Sequence, residues 1–85
     1  YEIIPSLQRT LNKLSKKDKK TYEAVMGKIE EILENPQHYK PLKHELAGEK
    51  RVHIMKSFVL KFEIDESIKN VRFLFFGHHD EAYKR

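Results

Sequence analysis

A change of hydrophobic period near the middle of this sequence constrains its fold more than any other feature. Leu7, Leu11 and Leu14, then Tyr22, Val25, Met26, Ile29, Ile32 and Leu33, recur at intervals of three and four, the spacing of an α-helical face. From Lys50 onward the interval is two. Val52 and Ile54 form one set, Phe58, Leu60, Phe62 and Ile64 a second, and Val71, Phe73 and Phe75 a third. A period of two puts successive side chains on opposite faces of a strand. A chain patterned this way must lay its helices against one face of a sheet.

Local signals sharpen this expectation. Tyr1 to Ile4 is a short apolar start that reads as an edge strand, and Pro5 and Ser6 open a helix. Ser15-Lys16-Lys17-Asp18 has the form of a capping box, so the first helix is expected to break near Ser15. A second helix should run to about Glu34, where Asn35-Pro36 ends it. Pro36 to Glu49 is a linking stretch tethered by Leu42 and Leu46, and Asp65 to Lys69 is a polar turn. Three successive strands with short turns imply an antiparallel meander. The expected fold is α+β, with a short N-terminal strand and a helical hairpin packed on a small antiparallel β-sheet. Residues 1–85 are expected to form one domain, because so short a chain buries only about 60–65% of its unfolded surface.

In that arrangement the helices cover Val52, Ile54, Leu60, Phe62 and Phe73. Arg51, His53, Lys61 and Arg72 fall on the other face with Met55, Val59, Leu74 and Phe76. A cationic face with interleaved apolar groups suits RNA, since cations neutralise phosphates and flat rings stack on unpaired bases. A solvated face with scattered charges is the commoner meaning of such a pattern. Seventeen Lys and Arg against thirteen Asp and Glu, a formal charge of +4, favour a polyanionic partner.

The histidines separate the two readings. Cleavage inside RNA needs a base for the 2′-hydroxyl, an acid for the leaving 5′-oxygen and cations for the phosphorane. Imidazole suits the first two roles because it titrates near neutrality. Arg51, His53 and Lys56 fall on one strand and its turn, a placement that lets them converge on one phosphate. Of the adjacent His78 and His79, only one can face the same side as His53.

Several classes are excluded or disfavoured. There are no cysteines, so disulfide scaffolds and zinc–thiolate sites are out. His78, His79, Asp80 and Glu81 do not match a helical metal-ligand spacing, so no metal and no cofactor is expected. No serine sits in a nucleophile elbow. No apolar run is long enough to span a bilayer and no signal-peptide pattern opens the chain, so a cytoplasmic protein without membrane attachment is expected.

The segments "LENPQHYKPLKHELAGEKRVHI", "FVLKFEID" and "FFGHHDEAY", in this order, resemble the RelE/YafQ/YoeB toxins of the RelE/ParE superfamily. The resemblance implies two N-terminal helices on a small antiparallel sheet. It also implies a metal-independent mRNA endoribonuclease that acts in the ribosomal A site and is restrained by a RelB-like antitoxin. It makes Arg51, His53, His79 and Tyr83 candidate catalytic residues, with Tyr83 stacking on a base or transferring a proton. Lys56, Lys61 and Arg72 become candidate phosphate contacts. Many members carry a Tyr-Arg pair where this chain has Phe58 and Val59, so Lys61 or Lys56 would replace that cation. Asp80, Glu81, Lys84 and Arg85 read as solvated tail. Two other functions fit the same pattern: a ParE-like toxin acting on DNA gyrase by protein contact, and a non-catalytic RNA-binding domain.

Overall fold

The computed structural model describes residues 1–35, 49–65, 68 and 70–82. Leu42, Leu46, Tyr83 and most of the expected 65–69 turn lie outside the described residues. The elements run β1 (Glu2–Ile3), α1 (Pro5–Lys17), α2 (Lys19–Glu34), β2 (Glu49–Ile54), β3 (Phe58–Asp65), β4 (Asn70–His78) and α3 (His79–Ala82).

Pro at the first position of α1 has no N–H to leave unsatisfied and a preset φ, which is why the chain turns from β1 directly into a helix. The helix does not break at Ser15. The Ser15 hydroxyl bonds back to the Asn12 carbonyl at 2.7 Å and α1 continues to Lys17. Asp18 makes the break instead. Its carboxylate accepts from the Thr21 backbone N–H at 3.2 Å and from the Thr21 hydroxyl at 2.7 Å, capping α2. These bonds favour the charged form and hold the Asp18 carboxyl below its ordinary range, the Thr21 hydroxyl contributing most. An aspartate accepts two bonds at once, and a serine hydroxyl here is drawn into its own helix.

The sheet order is β1-β4-β3-β2. The meander β2-β3-β4 is antiparallel as expected, and β1 adds a parallel edge strand with Glu2 opposite Arg72 and Ile3 opposite Phe73. Leu7 and Leu11 of α1 and Val25, Ile29 and Ile32 of α2 pack on Ile54, Leu60, Phe62, Val71, Phe73 and Phe76. Phe62 and Phe73, with ring centroids 5.9 Å apart, are the largest of the fully buried side chains.

One part of the predicted alternation fails, at a β-bulge. Lys61 pairs with Phe75 but Phe62 pairs with Phe73, so Leu74 is an extra residue with no partner on β3. The extra residue reverses the faces beyond it. Phe76, expected outside, is buried in the core and stacked on Phe58 at 5.2 Å. Phe75, expected inside, turns to the open face, where the Lys61 Nζ lies 5.3 Å from its ring centroid. Leu74 borders an open cleft of about 220 Å³ with Ser6, Leu7 and Thr10 of α1.

Candidate active site on the open sheet face

The bulge places the site. Because Phe76 points to the core, Gly77 points away from it, and His79 emerges on the same side as His53. The two imidazoles stack, with ring centroids 5.5 Å apart and planes 24° from parallel. A backbone bond fixes the approach: the His79 N–H donates to the Ser57 carbonyl at 2.7 Å. Ser57 belongs to the turn that follows His53, so this bond ties the start of α3 to the β2–β3 hairpin.

That turn is strained. Met55 and Lys56 both have positive φ, 52° and 67°. Neither is glycine, and a side chain in this region costs roughly 1–2 kcal/mol per residue. Backbone strain of this kind persists where the surroundings over-determine it. Here the flanking pair Ile54–Phe58 and the bond from His79 hold the turn.

Beneath the imidazoles, His53, Val59 and Gly77 lie in one cross-strand row. Val59 is fully buried although it faces away from the main core. It therefore forms an apolar floor, with α3 folded against β3. The next row holds Arg51, Lys61 and Phe75. Arg51 lies two residues before His53 on the same face, roughly 7 Å away along the strand. Its Nε is 3.8 Å from Glu49 Oε2. Lys56 is exposed in the turn.

Arg72 shares this face but is held by acids. Its guanidinium bonds to Glu63 and lies 3.4 Å from Glu2, which joins β3, β4 and β1. The bond to Glu63, then that to Glu2, raises its pKa further. His78 faces the opposite side, edge-on to Phe58 at 5.9 Å. The Asp80 N–H donates to His78 Nδ1 at 3.3 Å.

Sequence reasoning missed two neighbours of the pair. Asp80, read as solvated tail, is 86% exposed as that reading implies, but its carboxylate also lies 3.8 Å from His79 Nδ1 and 3.9 Å from His78 Nδ1. Phe75 joins the open face beside Lys61. The run His-His-Asp was a signal for the first, since a carboxylate next to a histidine in sequence can reach its ring. No residue pattern announced the second. Among the described residues no three His, Asp or Glu side chains gather as a metal-ligand set.

The model of the ParE toxin of type II toxin–antitoxin system, parDE, matches residues 1–83. A protein of Methanocaldococcus jannaschii named "Putative toxin RelE4" is 57% identical over 84 residues, covering 99% of this chain and 89% of the relative. An uncharacterized protein of Methanosarcina mazei is 46% identical over 82 residues, covering 96% of this chain and 95% of the relative. No solved structure matches. Together with the strand, helical hairpin and sheet, these matches define a toxin of a type II toxin–antitoxin system. The chain belongs to the ParE toxin family, within the RelE/ParE superfamily, and an antitoxin is therefore its partner.

Proposed function

We propose that this toxin is a metal-independent endoribonuclease that cuts mRNA on the ribosome, in the cytoplasm, and so inhibits translation. The observation that carries the reading is the stacked pair His53–His79 on the open face, one strand row from Arg51 and Lys61. One imidazole takes the proton of the substrate 2′-hydroxyl as that oxygen attacks phosphorus. The other gives a proton to the departing 5′-oxygen. The products are a 2′,3′-cyclic phosphate and a free 5′-hydroxyl, and no water or metal enters this step. Arg51 and Lys61 meet the charge that grows on the phosphorane, where fixed cations act most strongly. Asp80 orients His79. Tyr83, four residues beyond His79, supplies a ring for the neighbouring base, and Lys56 contacts a flanking phosphate, whereas Arg72 is committed to Glu63 and Glu2. Paired proton transfer by positioned groups contributes about 10²–10⁴-fold each.

The test is to map transcript 5′ ends after induction of the toxin without its antitoxin. Cuts in frame within translated regions are expected, and purified ribosomes with a defined message should reproduce them. Intact transcripts under growth arrest would sink the reading.

A second reading is favoured by the family match. ParE-type toxins act on DNA gyrase through protein contact, and the matching family model is that of ParE. Loss of supercoiling activity in purified gyrase, with messages left whole, is the result expected of that function.

A further inference from the structure

The net charge of this chain is not spread over its fold. Residues 1–20 contain six Lys and Arg and two acids, whereas residues 21–85 contain eleven of each. The whole formal excess of +4 therefore sits on β1, α1 and the start of α2.

Within α1 this charge is ordered. Arg9, Lys13 and Lys16 recur at i, i+4 and i+7, as do Leu7, Leu11 and Leu14 two residues earlier. At 3.6 residues per turn the two sets lie on opposite sides of the helix. Leu7 and Leu11 are 2% and 1% exposed, while Arg9, Lys13 and Lys16 are all exposed. Lys17, Lys19 and Lys20, also exposed, carry the run through the joint into α2. Asp18 is the sole acid from Pro5 to Lys20, and both its oxygens are turned to Thr21. None of the six cations is ion-paired among the described residues.

The open sheet face is charged differently. Arg51, Lys61 and Arg72 stand there among Glu49, Glu63 and Glu2, with Arg51 close to Glu49 and Arg72 held by Glu63 and Glu2. With Lys56 in the adjoining turn, four cations against three acids leave only a weak net field to hold a polyanion. A protein that acts on RNA through this face gains from further affinity elsewhere.

We infer that the outer stripe of α1 and the α1–α2 joint form an RNA-phosphate docking surface separate from the imidazole pair. From Arg9 to Lys16 the stripe rises about 10 Å, long enough to meet several phosphates of a duplex. Binding there is electrostatic, independent of sequence and released by salt. The choice of RNA as the polyanion rests on the endoribonuclease reading; the segregation of charge does not.

The experiment titrates the purified full chain with a labelled RNA hairpin across a range of KCl concentrations. It compares the wild type with Lys13→Gln/Lys16→Gln/Lys17→Gln and with Arg51→Gln/Lys61→Gln, circular dichroism confirming each fold. The first variant is expected to bind at least about tenfold more weakly near 0.1 M salt. Its log–log salt slope should fall by about 3, three lost contacts at roughly 0.9 each on a duplex stem. The sheet-face variant should lose less affinity than the stripe variant and keep more of the wild-type salt slope, and affinity for the cognate antitoxin should not change in the first variant. Equal RNA binding by wild type and the stripe variant would overturn the proposal. So would a loss confined to the sheet-face variant, or to the antitoxin. Stripe-dependent RNA binding, together with messages left whole on programmed ribosomes, would remove the nuclease reading and leave this one standing.

Discussion

His53 on β2 and His79 at the start of α3 stack with their ring centroids 5.5 Å apart, each reaching the other from an opposite edge of β3. β3 carries Val59 between them as a buried floor, so the pair rests on the sheet and not on a loose tail.

In the proposed mechanism the two stacked histidines work as a pair, and neither is needed for the fold. His53→Ala and His79→Ala should each lower RNA cleavage by about 10²–10⁴-fold. His53 is exposed and His79 half-exposed, so the unfolding midpoint should move little. Single-turnover cleavage on programmed ribosomes, run beside denaturant unfolding, checks both halves. Full activity in both variants would remove the imidazoles from the mechanism.

The bulge at Leu74 predicts opposite outcomes at two adjacent phenylalanines. Phe76→Ala should destabilise the fold by about 3–5 kcal/mol, since the ring fills the core against Phe58. Phe75→Ala should cost less, about 1–2 kcal/mol, because its ring is only half-buried and adds a cation–π contact with Lys61. Urea unfolding of the two variants distinguishes this register from an unbroken alternation, which would invert the order.

Asp18 should confer a pH-dependent part of the stability. Its carboxyl titrates lower in the folded chain than in the unfolded one. The contribution is then fully present above the unfolded value, about 3.9, and is lost as pH falls through the lower folded value. Asp18→Ala should lower the denaturation midpoint at neutral pH. The gap to wild type should narrow as the solution is acidified below about pH 4, and a gap independent of pH would contradict the cap.

The strained turn predicts an asymmetry at Lys56. A β-branched Lys56→Val should cost about 1–2 kcal/mol, because its side chain crowds the backbone at positive φ. Lys56→Gly should be neutral or stabilising. Because this turn holds the Ser57 carbonyl that receives the His79 N–H, the valine variant should also lose activity. Comparing unfolding midpoints with cleavage rates checks the link.

Much of this architecture was legible in the order of residues. Helix and strand periods depend on local geometry, so the stripe Val25–Ile29–Ile32 and the alternation Leu60–Phe62 identified their elements and their buried faces directly. Arg51 and His53, two residues apart on one strand, shared a face by the same rule. The break between the helices was expected three residues early, because Ser15 and Asp18 both carry capping chemistry and only the packed hairpin selects between them.

What residue order alone established is therefore the α+β layering and the face that carries Arg51 and His53, because both follow from periods of 3.6 and 2 that each segment carries within itself. What tertiary structure decided is which residues of β4 join that face. One extra residue at Leu74 exchanges Phe75 for Phe76 and sends His79 rather than His78 toward His53. A bulge is chosen by the fit of β4 between β3 and the helices, a balance of packing across distant segments that no local pattern encodes.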